Sequence, residues 1–194
     1  MIVTMKRRTL ILGAAGLSAM AATGWLAWRQ SSRKAPGANR SVSVTAQTKP
    51  VVNPDALLNA SLPDMEGHEV AFRQYLGKPV VVNFWATWCA PCVEEMPELN
   101  IMAESMPGIQ FVGIGIDTAD KIRQFIVKIP VSYPLLVAGH AGISLLRELG
   151  NPTGGLPFTV MFDANGNMID TILGQVQSAD LRARIDALVV KSKT

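Results

Sequence analysis

The stretch Phe84-Trp85-Ala86-Thr87-Trp88-Cys89-Ala90-Pro91-Cys92 decides how this chain is read. It holds both cysteines of the 194-residue sequence, two residues apart. The run leading into it, Val80-Val81-Val82-Asn83-Phe84-Trp85, is nearly apolar and β-branched at three positions, the composition of a central buried strand. Residues from about 90 to 106 read as a helix, with Val93, Met96 and Leu99 repeating every three residues and Glu94, Glu95 and Glu98 between them. Pro97 removes one backbone donor and is expected to kink that helix. The cysteines therefore fall at a strand-to-helix junction. There, free N–H groups and the helix dipole favour a thiolate on Cys89. Cys92 is one turn further in, close enough to attack a mixed disulfide formed on Cys89. This is a dithiol that can open and close, with Cys89 as attacking nucleophile and Cys92 as resolving thiol. Pro91 restricts the loop between them and fits a first helical turn without penalty.

Three blander readings compete. A zinc half-site needs two more ligands, and the only histidines, His68 and His140, stand at no ligand-like spacing. A purely structural disulfide closing so small a loop removes little unfolded-state entropy. A copper-binding thiol pair lacks a methionine or histidine placed beside it in sequence. The redox reading calls for no cofactor and no metal.

The rest of residues 51–194 alternates strands and helices. Residues 51–78 read as a short irregular lead-in, with a turn at Asp64-Met65-Glu66-Gly67-His68 and a short strand at Glu69-Val70-Ala71-Phe72. Residues 111–116 read as a second buried strand and residues 118–129 as a helix with Ile122, Phe125, Ile126 and Ile129 on one side. A short strand at Leu135-Leu136-Val137 and a short helix over 141–149 follow. Residues 158–162 and 168–173 form a β-hairpin about the turn Asp163-Ala164-Asn165-Gly166-Asn167. Residues 178–190 close the chain as an amphipathic helix whose apolar side carries Leu181, Ile185, Leu188 and Val189. The sum is α/β, a mixed central sheet flanked by helices.

The N-terminal part has a different character. Residues 1–8 carry Lys6, Arg7 and Arg8, and residues 9–28 carry no charge. Twenty such residues make a helix of about 30 Å, roughly a bilayer core. The order of basic start, apolar middle and small residues near Ala19-Met20-Ala21 is also that of a signal peptide. Residues 9–28 are expected to be a transmembrane anchor, with a cleaved signal peptide as the alternative. Residues 29–50 read as a linker and residues 51–194 as the folded domain. Residues 1–49 carry eight Lys or Arg and no acid, whereas residues 50–194 carry ten against fifteen acids, so the +3 of the whole chain hides a domain of −5. That domain has no basic stripe, and nucleic-acid binding is not expected.

The run from Phe84 to Cys92 resembles the active-site run of the thioredoxin superfamily. Its continuation, Val93-Glu94-Glu95-Met96-Pro97, is similar to that of membrane-anchored, extracytoplasmic thiol-disulfide proteins of the TlpA/ResA type, which include the cytochrome c maturation thioredoxins. The likeness covers about residues 51–190. It implies a thioredoxin-like fold with an N-terminal extension and a central insertion at 117–150. It also implies that Pro157, in Gly154-Gly155-Leu156-Pro157-Phe158, matches the cis-proline facing the redox pair, and that the backbone of Leu156 pairs with a bound substrate peptide. One departure from thioredoxin proper is Asn83, which stands where that protein has a buried acid. In the ResA-like branch a glutamate three residues after the second cysteine serves near the pair, and Glu95 matches it. Glu95 is thus expected to tune or deprotonate Cys92, and Trp88 to shield Cys89 and offer substrates an apolar contact.

The function these residues imply is a thiol-disulfide oxidoreductase that reduces disulfides in extracytoplasmic proteins. Apocytochrome c and copper-site assembly proteins are the expected partners, with a membrane electron donor to recharge it. The expected location is the extracytoplasmic face of the inner membrane, held by a single N-terminal anchor, or the periplasm after cleavage. Alternatives are a non-catalytic adaptor or copper metallochaperone on the same fold, and a net oxidase of thiols. A peroxidase is disfavoured because its reactive cysteine lies in a different local motif.

Overall fold

The computed structural model describes residues 52–191, with side chains to residue 189. The basic segment 1–8, the apolar segment 9–28 and the linker 29–50 lie outside the described residues.

A five-stranded sheet positions everything else. Its strands are β3 (Val80–Trp85), β4 (Gln110–Gly115), β5 (Leu135–Val137), β6 (Phe158–Phe162) and β7 (Met168–Leu173), in the spatial order β5-β4-β3-β6-β7. The first three run parallel, and β6 and β7 run antiparallel to their neighbours. Two elements of the lead-in were not expected from sequence: helix α1 (Asp55–Leu58) and strand β1 (Ser61–Pro63), which pairs with β2 (Glu69–Ala71). Both are too short to show a hydrophobic period. Phe72 opens a 3-10 turn to Tyr75 rather than ending β2.

Side chains alternate along β3, so Asn83 and Trp85 share one face and Val80, Val82 and Phe84 the other. Helices α2 (Ala90–Ser105) and α3 (Ala119–Ile126) connect β3 to β4 and β4 to β5. Both connections step the same way across the sheet, so right-handed crossovers put both helices on one face. The contacts agree: Asn83 bonds Glu95 of α2, and Trp85 packs against Phe125 of α3 with ring centroids 5.2 Å apart and the rings tilted at 47°. Helix α5 (Ser178–Lys191) joins this layer beside α2, where Ser178 Oγ donates to Glu98 at 3.1 Å. On the other face, Phe84 packs on Phe158 and Phe72 on Phe162, with α1 and α4 (Gly142–Glu148) over them. Among the described residues no helix is long and apolar enough to cross a membrane.

The expected insertion, 117–150, forms α3, β5 and α4. Because β5 hydrogen bonds to β4, this segment is built into the sheet rather than appended to it. Of the expected apolar stripe of α2, Met96 and Leu99 are buried and Val93 is not. The residues it buries are Cys92, Glu95, Met96, Leu99 and Met102, while Val93 is half-exposed. The buried face also takes in a cysteine and a glutamate, which counting apolar residues alone does not reveal. Helix α2 continues across Pro97, which sits on its exposed side, where water can replace the missing donor.

Phe84 is fully buried at the centre of the sheet. Phe84→Ala is expected to cost about 3–5 kcal/mol in urea unfolding of the oxidised protein, the usual range for an emptied aromatic core site.

Candidate active site

Strand β3 ends at Trp85, whose carbonyl accepts from the Ile116 N–H at 2.8 Å. The chain then turns tightly, with the Cys89 N–H donating to the Ala86 carbonyl at 3.1 Å. Cys89 has extended backbone angles, φ −90° and ψ 99°, and is the N-cap of α2. A side chain at that position can accept from the second or third amide of the helix. The second helical residue is Pro91, which has no N–H, so the Cys92 amide is the donor left within reach of a Cys89 thiolate. In the disulfide form the Cys89 side chain makes no cap hydrogen bond, so the Cys92 amide is open to a thiolate in the reduced form.

Cys89 and Cys92 form a disulfide with Cα atoms 5.3 Å apart. The two sulfurs are not equivalent. Cys89 retains 6% of its surface, and Cys92 retains none. Trp88, beside Cys89, is 59% exposed. A partner can reach the Cys89 edge of the disulfide, while Cys92 is accessible only to a group already bound there.

Beneath the pair lies a buried polar cluster. Cys92 and Glu95 are three residues apart on the buried side of α2, so they are neighbours along it. Glu95 Oε1 accepts from Asn83 Nδ2 at 2.7 Å, and Oε2 accepts from the Val176 N–H at 2.8 Å. Asn83 Nδ2 also donates to Thr159 Oγ1 at 3.3 Å. Burial raises the Glu95 carboxyl above its ordinary value of 4.5, and the bonds from Val176 and Asn83 only partly offset this. Glu95 is therefore unlike Glu94 and Glu98, which face solvent. Asn83 Oδ1 is buried and bonds nothing among the described residues. With the amide turned over, that oxygen would accept the proton of an uncharged Glu95. Thus the same two side chains can satisfy each other in both protonation states. The Tyr133 hydroxyl is raised as well, first by burial and then by the charge of Glu95.

The Leu156–Pro157 peptide is cis. It precedes β6, and Phe158 pairs with Phe84 at the end of β3, so this loop and the Cys89 turn share one end of the sheet. Its conformation rests on Asn151, a buried residue that sequence reading missed. Asn151 Nδ2 donates to the Gly155 carbonyl at 2.8 Å, and its Oδ1 accepts from the Gly155 N–H at 3.2 Å and from Thr153 Oγ1 at 3.0 Å. Pro157 is buried, and its carbonyl accepts from the Gly174 N–H at 2.9 Å. Leu156 is half-buried, and its backbone N–H and carbonyl are without hydrogen bonds among the described residues. An extended peptide could take up both. Trp85, by contrast, is wholly in the core.

Thr87 and Asp117 were also missed. Thr87 Oγ1 donates to Asp117 Oδ2 at 2.5 Å across 30 residues of chain, a pairing that no local motif announces. Of the histidines, His68 is engaged with Asp64 at 3.2 Å on the β1–β2 turn.

Comparison with known proteins places this architecture. The AhpC/TSA family model matches residues 54–171. The thiol-disulfide oxidoreductase ResA of Bacillus thuringiensis (strain Al Hakam) is 29% identical over 120 residues, covering 60% of this chain and 67% of that one. The solved structure of DsbF from MTB, in mixed oxidised and reduced forms, aligns with a TM-score of 0.61 and 32% identity, covering 69% of this chain and 97% of that one. A thioredoxin-related protein from Neisseria meningitidis serogroup B aligns with a TM-score of 0.59 and 31% identity, covering 69% and 99%. The fold is thioredoxin-like.

Glu95 gives the site a pH signature. A carboxyl whose folded value is raised favours folding while it is protonated. That contribution is complete below pH 4.5, the ordinary value, and is lost as pH rises through the folded value. In urea unfolding of the oxidised protein, wild type should lose stability relative to E95Q as pH rises from about 4 to 8. Parallel curves for the two proteins would show that Glu95 does not titrate in this way.

Proposed function

The chain belongs to the AhpC/TSA family, and we propose that within it this thiol-disulfide oxidoreductase works as a reductant of disulfides in proteins outside the cytoplasm. The observation that carries the reading is the asymmetry of the pair, one sulfur at a helix N-cap with an open edge and the other fully buried, three residues before a buried carboxyl on the same helix face.

The cycle starts from the reduced protein. The Cys89 thiolate attacks one sulfur of a partner disulfide. A Cys89–partner bond forms, the partner's own S–S bond breaks, and the released partner thiolate takes a proton from solvent. Glu95, as the carboxylate, takes the Cys92 proton. The Cys92 thiolate then attacks the Cys89 sulfur. The Cys89–Cys92 bond forms, the second partner thiolate leaves and is protonated, and Glu95 returns its proton to the medium. The partner gains two electrons and two protons, and the protein is left oxidised. The exposed Trp88 side chain and the free backbone of Leu156 would hold the partner chain during the exchange. A dithiol donor in the membrane would restore the reduced form.

The reducing direction is supported by the Ala90-Pro91 pair, which is nearer the thioredoxin loop than that of strong oxidants. Export and anchoring are supported by the basic residues 1–8 followed by the uncharged run 9–28. The relatives named ResA and DsbF support thiol-disulfide exchange as the chemistry. The resemblance of the active-site run to the TlpA/ResA type suggests partners of the kind met in cytochrome c maturation or copper-site assembly, where thiols must be kept reduced in an oxidising compartment.

Two measurements bear on this. The full-length C92A protein, expressed in its own compartment, should accumulate mixed disulfides through Cys89, and C89A should accumulate none. Cytochrome precursors or copper proteins among the adducts would name the pathway. The reduction potential should fall near the thioredoxin value of about −270 mV, whereas a value near the strong oxidant range, about −120 mV, would reverse the direction. Rapid consumption of peroxide in place of protein disulfides would displace the reading altogether.

A further inference from the structure

The turn that presents Cys89 is tied down by a buried carboxylate that the exchange chemistry does not use. Residues 86–89 leave β3 and enter α2 in a single turn. Of the three side chains before Cys89, Ala86 has no polar group and Trp88 stands out into solvent. Only Thr87 is anchored, through its hydroxyl to Asp117 at 2.5 Å.

Asp117 is built to hold that bond. It lies two residues beyond the end of β4 and has no exposed surface. Its other oxygen accepts from the Thr118 N–H at 2.8 Å and lies 3.4 Å from Lys121 Nζ. Burial works against the charge, but the bonds from Thr87, Thr118 and Lys121, with the charge of Lys121, outweigh it and hold the carboxyl below the ordinary carboxylate value. Thr118 is in turn the N-cap of α3, and Lys121 lies on its first turns. The Trp85 indole N–H does not compete for Asp117, because its nitrogen lies over Gly113. The end of β4 therefore grips the junction twice, by the Ile116 N–H on the Trp85 carbonyl and by Asp117 on Thr87.

The position so fixed matters for Cys89. With Pro91 at the second helical position, the Cys92 amide is the one cap donor open to a thiolate at the N-cap. Hydrogen bonds weaken steeply with misalignment, and the dipole effect fades within one turn. A partner pressing on exposed Trp88 would lever this turn unless it were tied. We propose that Asp117 is a positioning residue for thiol exchange, acting through Thr87 to hold the Cys89 turn at the N-terminus of α2. This rests on the reading of Cys89 as nucleophile given above.

Charge and position are separable. T87V removes the tie and keeps the charge. D117N keeps an oxygen for Thr87 and removes the charge. T87S keeps both. The readout is the pH profile of Cys89 alkylation by iodoacetamide in reduced full-length protein on the C92A background. Thermal unfolding is measured alongside to establish that each variant is folded. T87V should slow alkylation at neutral pH by about five- to ten-fold, the scale of one lost cap interaction, and move the profile to higher pH. T87S should recover most of the rate, and D117N should fall less than T87V. A folded T87V with the wild-type profile would overturn the proposal. So would a large change in D117N without one in T87V, which would mean that Asp117 acts through its charge. Absence of any Cys89 alkylation in the parent C92A protein would instead defeat the assignment of Cys89, a distinct failure.

Discussion

The hydrogen bond from Asn83 to Glu95 joins β3 to α2 inside the core, directly below the redox pair. A carboxyl with 2% of its surface exposed is costly to bury unless it is fully bonded. Here one oxygen takes Asn83 and the other takes the Val176 backbone beyond β7, so the group links three elements of the chain. This fixes the rotation of α2 about its own axis. With Glu95 inward, Cys92 must also face inward, since it lies one turn earlier on the same side. Cys89, a turn earlier still and at the N-cap, then falls at the rim. The difference between the two cysteines is a consequence of where a single glutamate is satisfied.

The rim itself is made by two loops from different parts of the chain. One is the Cys89 turn, braced by Thr87 on Asp117. The other is the loop before Pro157, braced by Asn151 on Gly155. Both braces are buried polar side chains bonded to a loop, and both leave the loop's outer atoms free. The scaffold thus spends its buried hydrogen bonds on holding the site still while the Leu156 backbone and Trp88 stay open to a partner. The pairing of β3 with β6 brings the two loops to the same end of the sheet.

Much of this was legible in the sequence where the signal is local. Strands at Val80–Trp85, Leu135–Val137, Phe158–Phe162 and Met168–Leu173 stand where their apolar runs and turn residues put them. The strand-to-helix setting of the cysteines also follows from the residues either side of them. The rest was hidden for physical reasons. Helix α1 and strand β1 are shorter than any period that could reveal them. Periodicity alone does not separate Glu95 from Glu94 and Glu98, because the buried face of α2 runs through Cys92 and Glu95 and leaves out Val93; the resemblance of the active-site run is what singled Glu95 out. Thr87 with Asp117 is a contact across 30 residues, and Asn151 gains its role only from the loop it folds against. Residues that shape the geometry of the site were harder to see than residues that react, because they lack a motif of their own.

The measurement that bears most directly on the asymmetry of the pair is single-hit alkylation of the reduced wild-type protein, with the labelled cysteine identified by peptide mass. The structure predicts that Cys89 takes the label first and that Cys92 stays unlabelled until the protein is unfolded. Labelling of Cys92 first, or of both cysteines at equal rates in the folded protein, would contradict it.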